Sequence, residues 1–317
     1  MTQTGDDFRT GVIALIGRPN VGKSTLMNRL IGMKVAITSV KPQTTRGRIR
    51  TVVTEENAQM IFLDSPGIHE AKNRLGERMM RVAADVKKDA DVILWLLDIK
   101  NRIGEEERQI GDDLSHARQP VIVVLNKADG LSGEEMREAV RRVTDCYSFD
   151  GCLAVSALKG DQINELKRAI IEKLPFGPPL YDEDELTDMP EREIVAEIIR
   201  EKALRFLDDE VPHGIAVVTE TMRWRTKKPE NGKQAADGEA QEICDIEAVL
   251  ICERESHKGI IIGKNGRMIR EIGRAARADI EKLLDCHVNL QMFVKVRKDW
   301  RDDVRQLKNF GLWTTER

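Results

Sequence analysis

Eight consecutive residues near the start of the chain have the spacing of a phosphate-binding loop. They read Gly-Arg-Pro-Asn-Val-Gly-Lys-Ser, after the apolar segment Val12 to Ile16 and before the helix-forming segment Thr25 to Ile31. Such glycines let backbone N–H groups turn towards phosphate oxygens, and the following helix adds the positive end of its dipole. We expect Lys23 to reach the β and γ phosphates and Ser24 to place its hydroxyl on Mg²⁺. The residues predicted to surround the phosphates are Gly17, Arg18, Pro19, Asn20, Val21, Gly22, Lys23, Ser24, Thr25 and, from a later segment, Gly67.

A second motif, much further along the chain, indicates which base is bound. The apolar segment Val121 to Leu125 is followed by Asn-Lys-Ala-Asp. Guanine presents two adjacent N–H donors that one carboxylate accepts together, and adenine lacks this pattern. We therefore expect Asp129 to select GTP over ATP, although the motif by itself could also be a polar turn that caps a helix. The predicted guanine-binding residues are Asn126, Lys127 and Asp129, with Ser156, Ala157 and Leu158 from a short motif whose backbone N–H would face the guanine carbonyl.

Two segments between these motifs are typical of a magnesium site and a switch. Asp64 follows an apolar strand and would hold Mg²⁺ through water, and the N–H of Gly67 would reach the γ phosphate. The polar loop Lys41 to Arg46 contains a threonine that would complete the metal shell only while the γ phosphate is present. We favour Thr45 over Thr44 for this ligand, and the sequence does not separate the two. The predicted metal ligands are Ser24, Thr45 and Asp64, and the predicted switch residues are Thr44, Thr45, Asp64, Ser65, Pro66, Gly67, Ile68 and His69.

The residue that would orient the attacking water differs from the one in Ras-type GTPases. Those enzymes have a glutamine at this position, whereas this chain has Ile68, so we expect slow intrinsic hydrolysis. Two other residues are candidates to replace the function of this glutamine. Asn20 would hold a monovalent cation that neutralises developing charge, since this form of the loop resembles that of potassium-activated GTPases. The second is His69, a histidine more typical of a solvated loop, and we favour Asn20.

The elements that must position these residues alternate along the first half of the chain. Predicted strands lie at Val12, Met60, Val92, Val121 and Cys152, with predicted helices at Arg74 to Lys88, Glu134 to Tyr147 and Gln162 to Lys173. This order predicts an α/β fold, a P-loop GTPase domain with a mostly parallel sheet flanked by helices. Prolines and acidic residues then indicate a linker. We expect the GTPase domain at residues 1–176, the linker at 177–190 and a second domain at 191–317.

The second domain has a different order: helix, strand, strand, helix, helix, strand. Between its two central helices lies Gly-Lys-Asn-Gly, which resembles the loop of an α+β KH domain of the second topological type. Glycines there let the backbone approach a single-stranded phosphate chain. The alternative is a helix–turn–helix corner with glycines for packing. Arginines on one face of the next helix would form a phosphate track or only a solvated surface. The predicted RNA-binding residues are Ile260, Ile261, Ile262, Gly263, Lys264, Asn265, Gly266, Arg267, Arg270 and Arg274.

The composition is consistent with an intracellular globular protein. The chain has 317 residues and a formal net charge of −3, without an apolar run long enough to span a bilayer. Its polar start is unlike a signal peptide, so we expect a cytoplasmic location. The five cysteines lack metal-type spacing, and we expect reduced thiols and no zinc.

Together these motifs resemble those of the Era family of bacterial GTPases. The resemblance rests on the phosphate loop, on Lys-Pro-Gln-Thr-Thr-Arg at residues 41–46, and on Val-Lys-Val-Arg-Lys-Asp-Trp-Arg-Asp-Asp at residues 294–303. It implies a GTP/GDP switch with Mg²⁺ that binds single-stranded RNA near the three-prime end of small-subunit ribosomal RNA, and K⁺ stays open as a second cation through Asn20. It further implies a role in small-subunit assembly and rRNA maturation, an RNA groove obstructed in the GDP state, and, as in some relatives, peripheral contact with the inner membrane. A monomer is expected.

One segment departs from this pattern, and other functional classes stay open. The polar loop Thr226 to Gln241 is longer than expected and predicts either a disordered hairpin tip or a contact through its lysines. A rival function is an RNA-binding module with an inert GTPase half, whose RNA affinity would ignore the nucleotide. A tRNA-modifying GTPase would need a catalytic cysteine or folate region that is not found. A metabolic kinase would leave Asp129 unpaired.

Overall fold

The computed structural model describes residues 7–37, 45–46, 48–64, 66–67, 71, 73–208, 211, 214–227 and 241–313. Its backbone contacts divide the chain into two compact units, Met1–Met189 and Pro190–Arg317. Among the described residues, no helix is both long enough and apolar enough to cross a membrane.

The first unit is a six-stranded sheet with helices between its strands. Its elements are β1 Arg9–Ile16, α1 Lys23–Ile31, β2 Ile49–Glu55, β3 Ala58–Asp64, α2 Arg74–Asp89, β4 Val92–Asp98, α3 Glu105–Ser115, β5 Val121–Asn126, α4 Gly133–Thr144, β6 Gly151–Ala154 and α5 Ile163–Lys173. The strand order is β2-β3-β1-β4-β5-β6. Only β2 pairs antiparallel, so the predicted α/β fold with a mostly parallel sheet is confirmed.

The strands that carry the predicted nucleotide motifs lie at the centre of the sheet. Strand β4 is buried along almost its whole length, as expected for a parallel strand covered on both faces. Its Trp95 contacts Tyr147 and Phe149 edge-on, with ring centroids 5.5 and 5.7 Å apart. A rigid core at this point fixes the ends of β1, β4 and β5, from which the motif residues project.

Strand β2 was not predicted. Its sequence, Ile-Arg-Thr-Val-Val-Thr-Glu, mixes polar and apolar residues because it forms an edge of the sheet. Part of the predicted linker runs beside it: the backbone N–H of Val52 donates to Leu186 O at 2.9 Å. The buried Gln59 of β3 also accepts from the N–H groups of Leu180 and Tyr181, at 2.7 and 3.0 Å. Part of the segment 177–190 therefore belongs to the first unit, and the three domain limits stay a prediction.

The second unit has a three-stranded sheet. Its elements are α6 Glu191–Phe206, β7 Ala216–Lys227, β8 Gln241–Cys252, α7 Glu255–Ile262, α8 Arg267–Leu284, β9 His287–Val296 and α9 Val304–Asn309. Strand β8 is central, antiparallel to β7 and parallel to β9. The predicted order of helix, strand, strand, helix, helix, strand is confirmed, and the short α9 is an addition. Most of the loop predicted between β7 and β8 lies outside the described residues.

Helices α6 and α8 and the sheet share one apolar core. The side chains of Ile272, Ala276 and Ile280 lie along one face of α8 and are fully buried. On β8, Cys244 and Cys252 are fully buried. This packing fixes the start of α8, next to the glycine loop.

Candidate nucleotide and RNA sites

The phosphate loop joins β1 to α1 and depends on glycine at two points. Gly17 and Gly22 have φ angles of 154° and 100°, which L side chains rarely adopt. A Cβ on Gly17 would lie 2.6 Å from Leu96 O, and a Cβ on Gly22 would lie 2.2 Å from Asn126 Nδ2. The loop therefore passes close to both β4 and the guanine motif, and only glycine leaves the necessary room.

Lys23, at the start of α1, points its amine into the loop. Its Nζ donates to Gly17 O and Arg18 O, each at 2.9 Å. Burial lowers the pKa of Lys23 to about 8, while the nearby Asp64 carboxylate opposes the shift. The amine is thus enclosed by loop carbonyls at the place where phosphate oxygens would approach it.

Three oxygen atoms meet beside the loop. Ser24 Oγ lies 3.1 Å from Thr45 Oγ1, and Asp64 Oδ2 accepts hydrogen bonds from both hydroxyls at 3.0 and 3.1 Å. Thr45 and Asp64 are buried. Hydroxyl and carboxylate oxygens are ligands that Mg²⁺ prefers, so this donor set fits the predicted metal.

The predicted switch residues lie only in part within the described chain. A Cβ on Gly67 would lie 2.8 Å from the backbone nitrogen of Pro19, so Gly67 rests directly against the phosphate loop. Its neighbour Pro66 is buried, and Thr25 lies in the first turn of α1. Asn20 is exposed with a left-handed φ of 67°. The remaining switch residues, Thr44, Ser65, Ile68 and His69, lie outside the described residues.

The guanine motif is tied to the phosphate loop by Asn126. Its Nδ2 donates to Val21 O at 2.9 Å, and its Oδ1 accepts from the N–H of Ala157 at 3.1 Å. Asn126 is only 2% exposed. The side chain therefore connects three predicted motifs, a contact that their separation along the chain does not reveal.

The other predicted guanine residues lie close to Asn126 or to its partner Ala157. Asp129 Oδ1 accepts from Ser156 Oγ at 3.3 Å. Lys127 has a left-handed φ of 67°, and its Nζ donates to Asp98 Oδ2 at 2.8 Å. Leu158 is 68% exposed beside them. The structure thus brings together the residues predicted from both motifs.

Three further charged residues near the site lie outside the predicted motifs. Asp98, at the end of β4, pairs with Lys127. Arg29 Nε donates to Ala157 O at 3.0 Å and holds the Ser-Ala-Leu turn. Glu107, in the first turn of α3, accepts from Arg18 Nη1 at 2.8 Å. No spacing rule joins these residues, because each pair comes from separate elements.

The glycine loop of the second unit lies between α7 and α8, as predicted. Gly263, Asn265 and Gly266 have φ angles of 72°, 53° and 73°. A Cβ on Gly263 would lie 2.7 Å from Met268 Cβ, so this glycine is required by both its conformation and the first turn of α8. Lys264 and Asn265 are exposed at the tip. The loop therefore presents its backbone to solvent.

The residues beside this loop differ in exposure. Ile260 is 49% exposed, whereas Ile261 is fully buried, and Ile262 is partly buried. The Ile261 side chain packs in the core, so contact of apolar side chains with bases is expected from Ile260 and Ile262, and the role of Ile261 in RNA binding stays a prediction. The predicted basic face of α8 is exposed at Arg267, Arg270 and Arg274. Of these, Arg267 Nε pairs with Glu271 Oε1 at 3.0 Å.

Comparisons with known proteins agree with this geometry. The family model described as "50S ribosome-binding GTPase" matches residues 12–127, and the model described as "KH domain" matches residues 227–301. The fold and the sites thus define a P-loop GTPase with a C-terminal KH domain. Proteins named GTPase Era from Caldanaerobacter subterraneus and Alkaliphilus metalliredigens are 48% and 46% identical to the chain over 304 residues. Those alignments cover 96% of this chain and 98% and 99% of the relatives.

Solved structures give the same result. A crystal structure of Era in complex with MgGDPNP and nucleotides 1506–1542 of 16S ribosomal RNA matches with a TM-score of 0.87 and 38% identity. The match covers 96% of this chain and 99% of that one. An Aquifex aeolicus Era variant bound to GDP and aluminium fluoride gives the same TM-score, identity and coverage. The chain belongs to the Era family of GTPases: it binds guanine nucleotide with Mg²⁺ and hydrolyses GTP.

Proposed function

We propose that this chain is a GTP-driven switch that binds single-stranded ribosomal RNA near the three-prime end of the small-subunit rRNA. In this role it assists assembly of the small ribosomal subunit and rRNA maturation. The observation that carries the proposal is the presence, in one chain, of a nucleotide site with switch residues and a backbone-exposing glycine loop on a KH unit. The Era complex that contains both MgGDPNP and 16S rRNA supports it.

At the nucleotide, the phosphate loop wraps the β and γ phosphates and Lys23 supplies the positive charge. Its Nζ is already held by loop carbonyls at 2.9 Å, so it needs little rearrangement. Ser24 and Thr45 would hold Mg²⁺ directly, and Asp64 would hold it through water. The metal, when bound, neutralises charge on the phosphate oxygens. The three protein oxygens lie within 3.1 Å of one another, which supports this ligand set.

At the base, Asp129 reads the two guanine N–H donors. Ser156 Oγ orients the carboxylate from one side, at 3.3 Å. Asn126 acts mainly as the connection between base site and phosphate loop, because both its polar atoms already bind protein. Leu158 and Lys127 flank the base.

The switch depends on two residues that would contact the γ phosphate. Thr45 precedes β2, and Gly67 lies against Pro19 of the phosphate loop. Both would lose a partner when the γ phosphate leaves, which releases the two segments. Without a glutamine after Gly67, intrinsic hydrolysis is slow. Asn20 is exposed at the loop rim, where K⁺ could supply the missing charge.

The RNA site is the turn between α7 and α8. Close approach of a phosphate chain needs bare backbone, which Gly263 and Gly266 supply. Ile260 and Ile262 offer apolar contact to bases, and the exposed basic residues of α8 follow the phosphates. A cytoplasmic location and a monomeric state accompany this proposal. Peripheral membrane contact stays a prediction of the family resemblance.

RNA affinity in the two nucleotide states tests the proposal. The probe is a fluorescent single-stranded oligonucleotide of the small-subunit rRNA three-prime end, measured by anisotropy at one fixed salt concentration. We expect tighter binding with a non-hydrolysable GTP analogue than with GDP. Equally tight RNA binding in both states would mean that the nucleotide site and the RNA site are not coupled. No binding in either state would contradict the RNA assignment.

A further inference from the structure

A charged residue outside every predicted motif lies beside Asp129. Lys100 lies in the turn after β4, and its Nζ is 3.9 Å from Asp129 Oδ2. The Lys100 side chain is 50% exposed and that of Asp129 is 26% exposed, so both side chains are partly accessible to solvent. The other oxygen, Oδ1, accepts from Ser156. Each oxygen of the carboxylate proposed to read guanine therefore already has a protein partner.

Lys100 is held near Asp129 by a third residue. Asp98 Oδ1 accepts from the backbone N–H of Lys100 at 3.1 Å, and Asp98 Oδ2 accepts from Lys127 Nζ at 2.8 Å. Asp98 is itself fixed, since it ends β4 opposite Asn126 of β5 in the parallel ladder. One carboxylate thus positions the backbone of one lysine and the amine of another beside the base site.

We propose that Lys100 is an exchange residue that competes with guanine for Asp129. This inference rests on the proposed role of Asp129 as the guanine reader. The two guanine N–H donors need both carboxylate oxygens, and Lys100 Nζ lies within ion-pair range of one of them. When the base begins to leave, the lysine takes its place and so speeds release of GDP and GTP.

Nucleotide release in a charge-removal variant tests the proposal. An exposed ion pair contributes little free energy, so we expect Lys100→Gln to slow release of a fluorescent, ribose-labelled GDP about two- to fivefold. The difference in release rate between the wild type and this variant should shrink at high salt. Salt screens the charge of Lys100 in the wild type, and the variant has no charge at this position. Arg102→Gln is the matched control: it removes the same charge from the same loop. Within the described part of the chain, Arg102 forms no ion pair.

The same substitutions made in the Asp129→Asn protein separate competition for Asp129 from the general effect of removing a positive charge. In Asp129→Asn, whose preference should shift to xanthine nucleotides, the amide carries no charge for Lys100 to balance. There, Lys100→Gln should change release of xanthosine diphosphate no more than Arg102→Gln does. Equal or faster GDP release in Lys100→Gln, equal slowing by Arg102→Gln, or slowing that persists in the Asp129→Asn background would overturn the proposal. Retained GTP preference in Asp129→Asn would instead refute the guanine assignment itself.

Discussion

Any side chain at position 22 would displace Asn126. Its φ is 100°, and a Cβ there would lie 2.2 Å from Asn126 Nδ2. Asn126 uses that nitrogen to bind Val21 O and its oxygen to bind the N–H of Ala157. A glycine in the phosphate loop therefore allows the asparagine of the guanine motif to join both halves of the nucleotide site.

The change Gly22→Ala should weaken both folding and nucleotide binding. Displacement of Asn126 leaves buried polar groups without partners, and backbone strain adds to this. We expect a loss on the order of 3 kcal/mol in the free energy of unfolding. Thermal melting without nucleotide and GDP titration measure the two effects.

Gly32→Ala is the matched control for strain alone. Gly32 ends α1 with a φ of 82°, but a Cβ added there would meet nothing within 4 Å. We expect a loss of about 1 kcal/mol and unchanged GDP affinity. If Gly32→Ala lost as much stability and GDP affinity as Gly22→Ala, the position of Asn126 would have no role in nucleotide binding.

At the scale of elements, the turn between α7 and α8 should be separable from the nucleotide site. Replacing Gly263 and Gly266 together with Asp adds two negative charges and two side chains where the phosphate chain would approach. We expect RNA binding to fall at least tenfold, a loss of about 1.4 kcal/mol. GTP hydrolysis measured without RNA should persist.

The control for added charge is Gly259→Asp. Gly259 lies in α7 on the exposed surface, and a Cβ added there would meet nothing within 4 Å. The substitution adds a negative charge near the loop but leaves the turn backbone intact. A smaller loss of RNA affinity is expected here. Retained RNA binding in the double variant, with the fold intact by circular dichroism, would show that the KH loop is not the RNA site.

At the scale of the whole molecule, a partly buried thiol in the first unit and a fully buried thiol in the second should make both units sensitive to alkali. Burial raises the pKa of Cys152, in the first unit, and of Cys244, in the second, to about 11. An unfolded thiol titrates near pH ~8.5. The folded state therefore holds protons that the unfolded state has lost, and stability should fall as the pH rises from about 9 to about 11.

Urea unfolding of the wild type and of a Cys152→Ala, Cys244→Ala double variant measures this effect. Truncating two thiols lowers stability at every pH, so the informative quantity is the change of the urea midpoint with pH. We expect a steeper alkaline decline in the wild type. Parallel declines in the two proteins would mean that other groups cause the alkaline loss.

Much of the molecule could be predicted from its sequence. The phosphate loop, the Asn-Lys-Ala-Asp motif and the Gly-Lys-Asn-Gly turn are local patterns, each with its chemistry contained in a few adjacent residues. Alternating apolar strands and amphipathic helices predicted the parallel sheet, and the element order predicted the KH unit. Such features depend on neighbours along the chain, which is why spacing and residue type were sufficient.

Contacts between residues far apart in the chain became visible only in the folded molecule. The fold placed Thr45 beside Ser24 and Asp64, made Asn126 a link to Val21, and buried Ile261 next to the exposed Ile260. It also paired Asp98 with Lys127 and Arg18 with Glu107, and it added the mixed-polarity edge strand β2. These outcomes depend on the register of the sheet and on helix rotation. Both are set by packing of the whole core, and a linear pattern does not contain them.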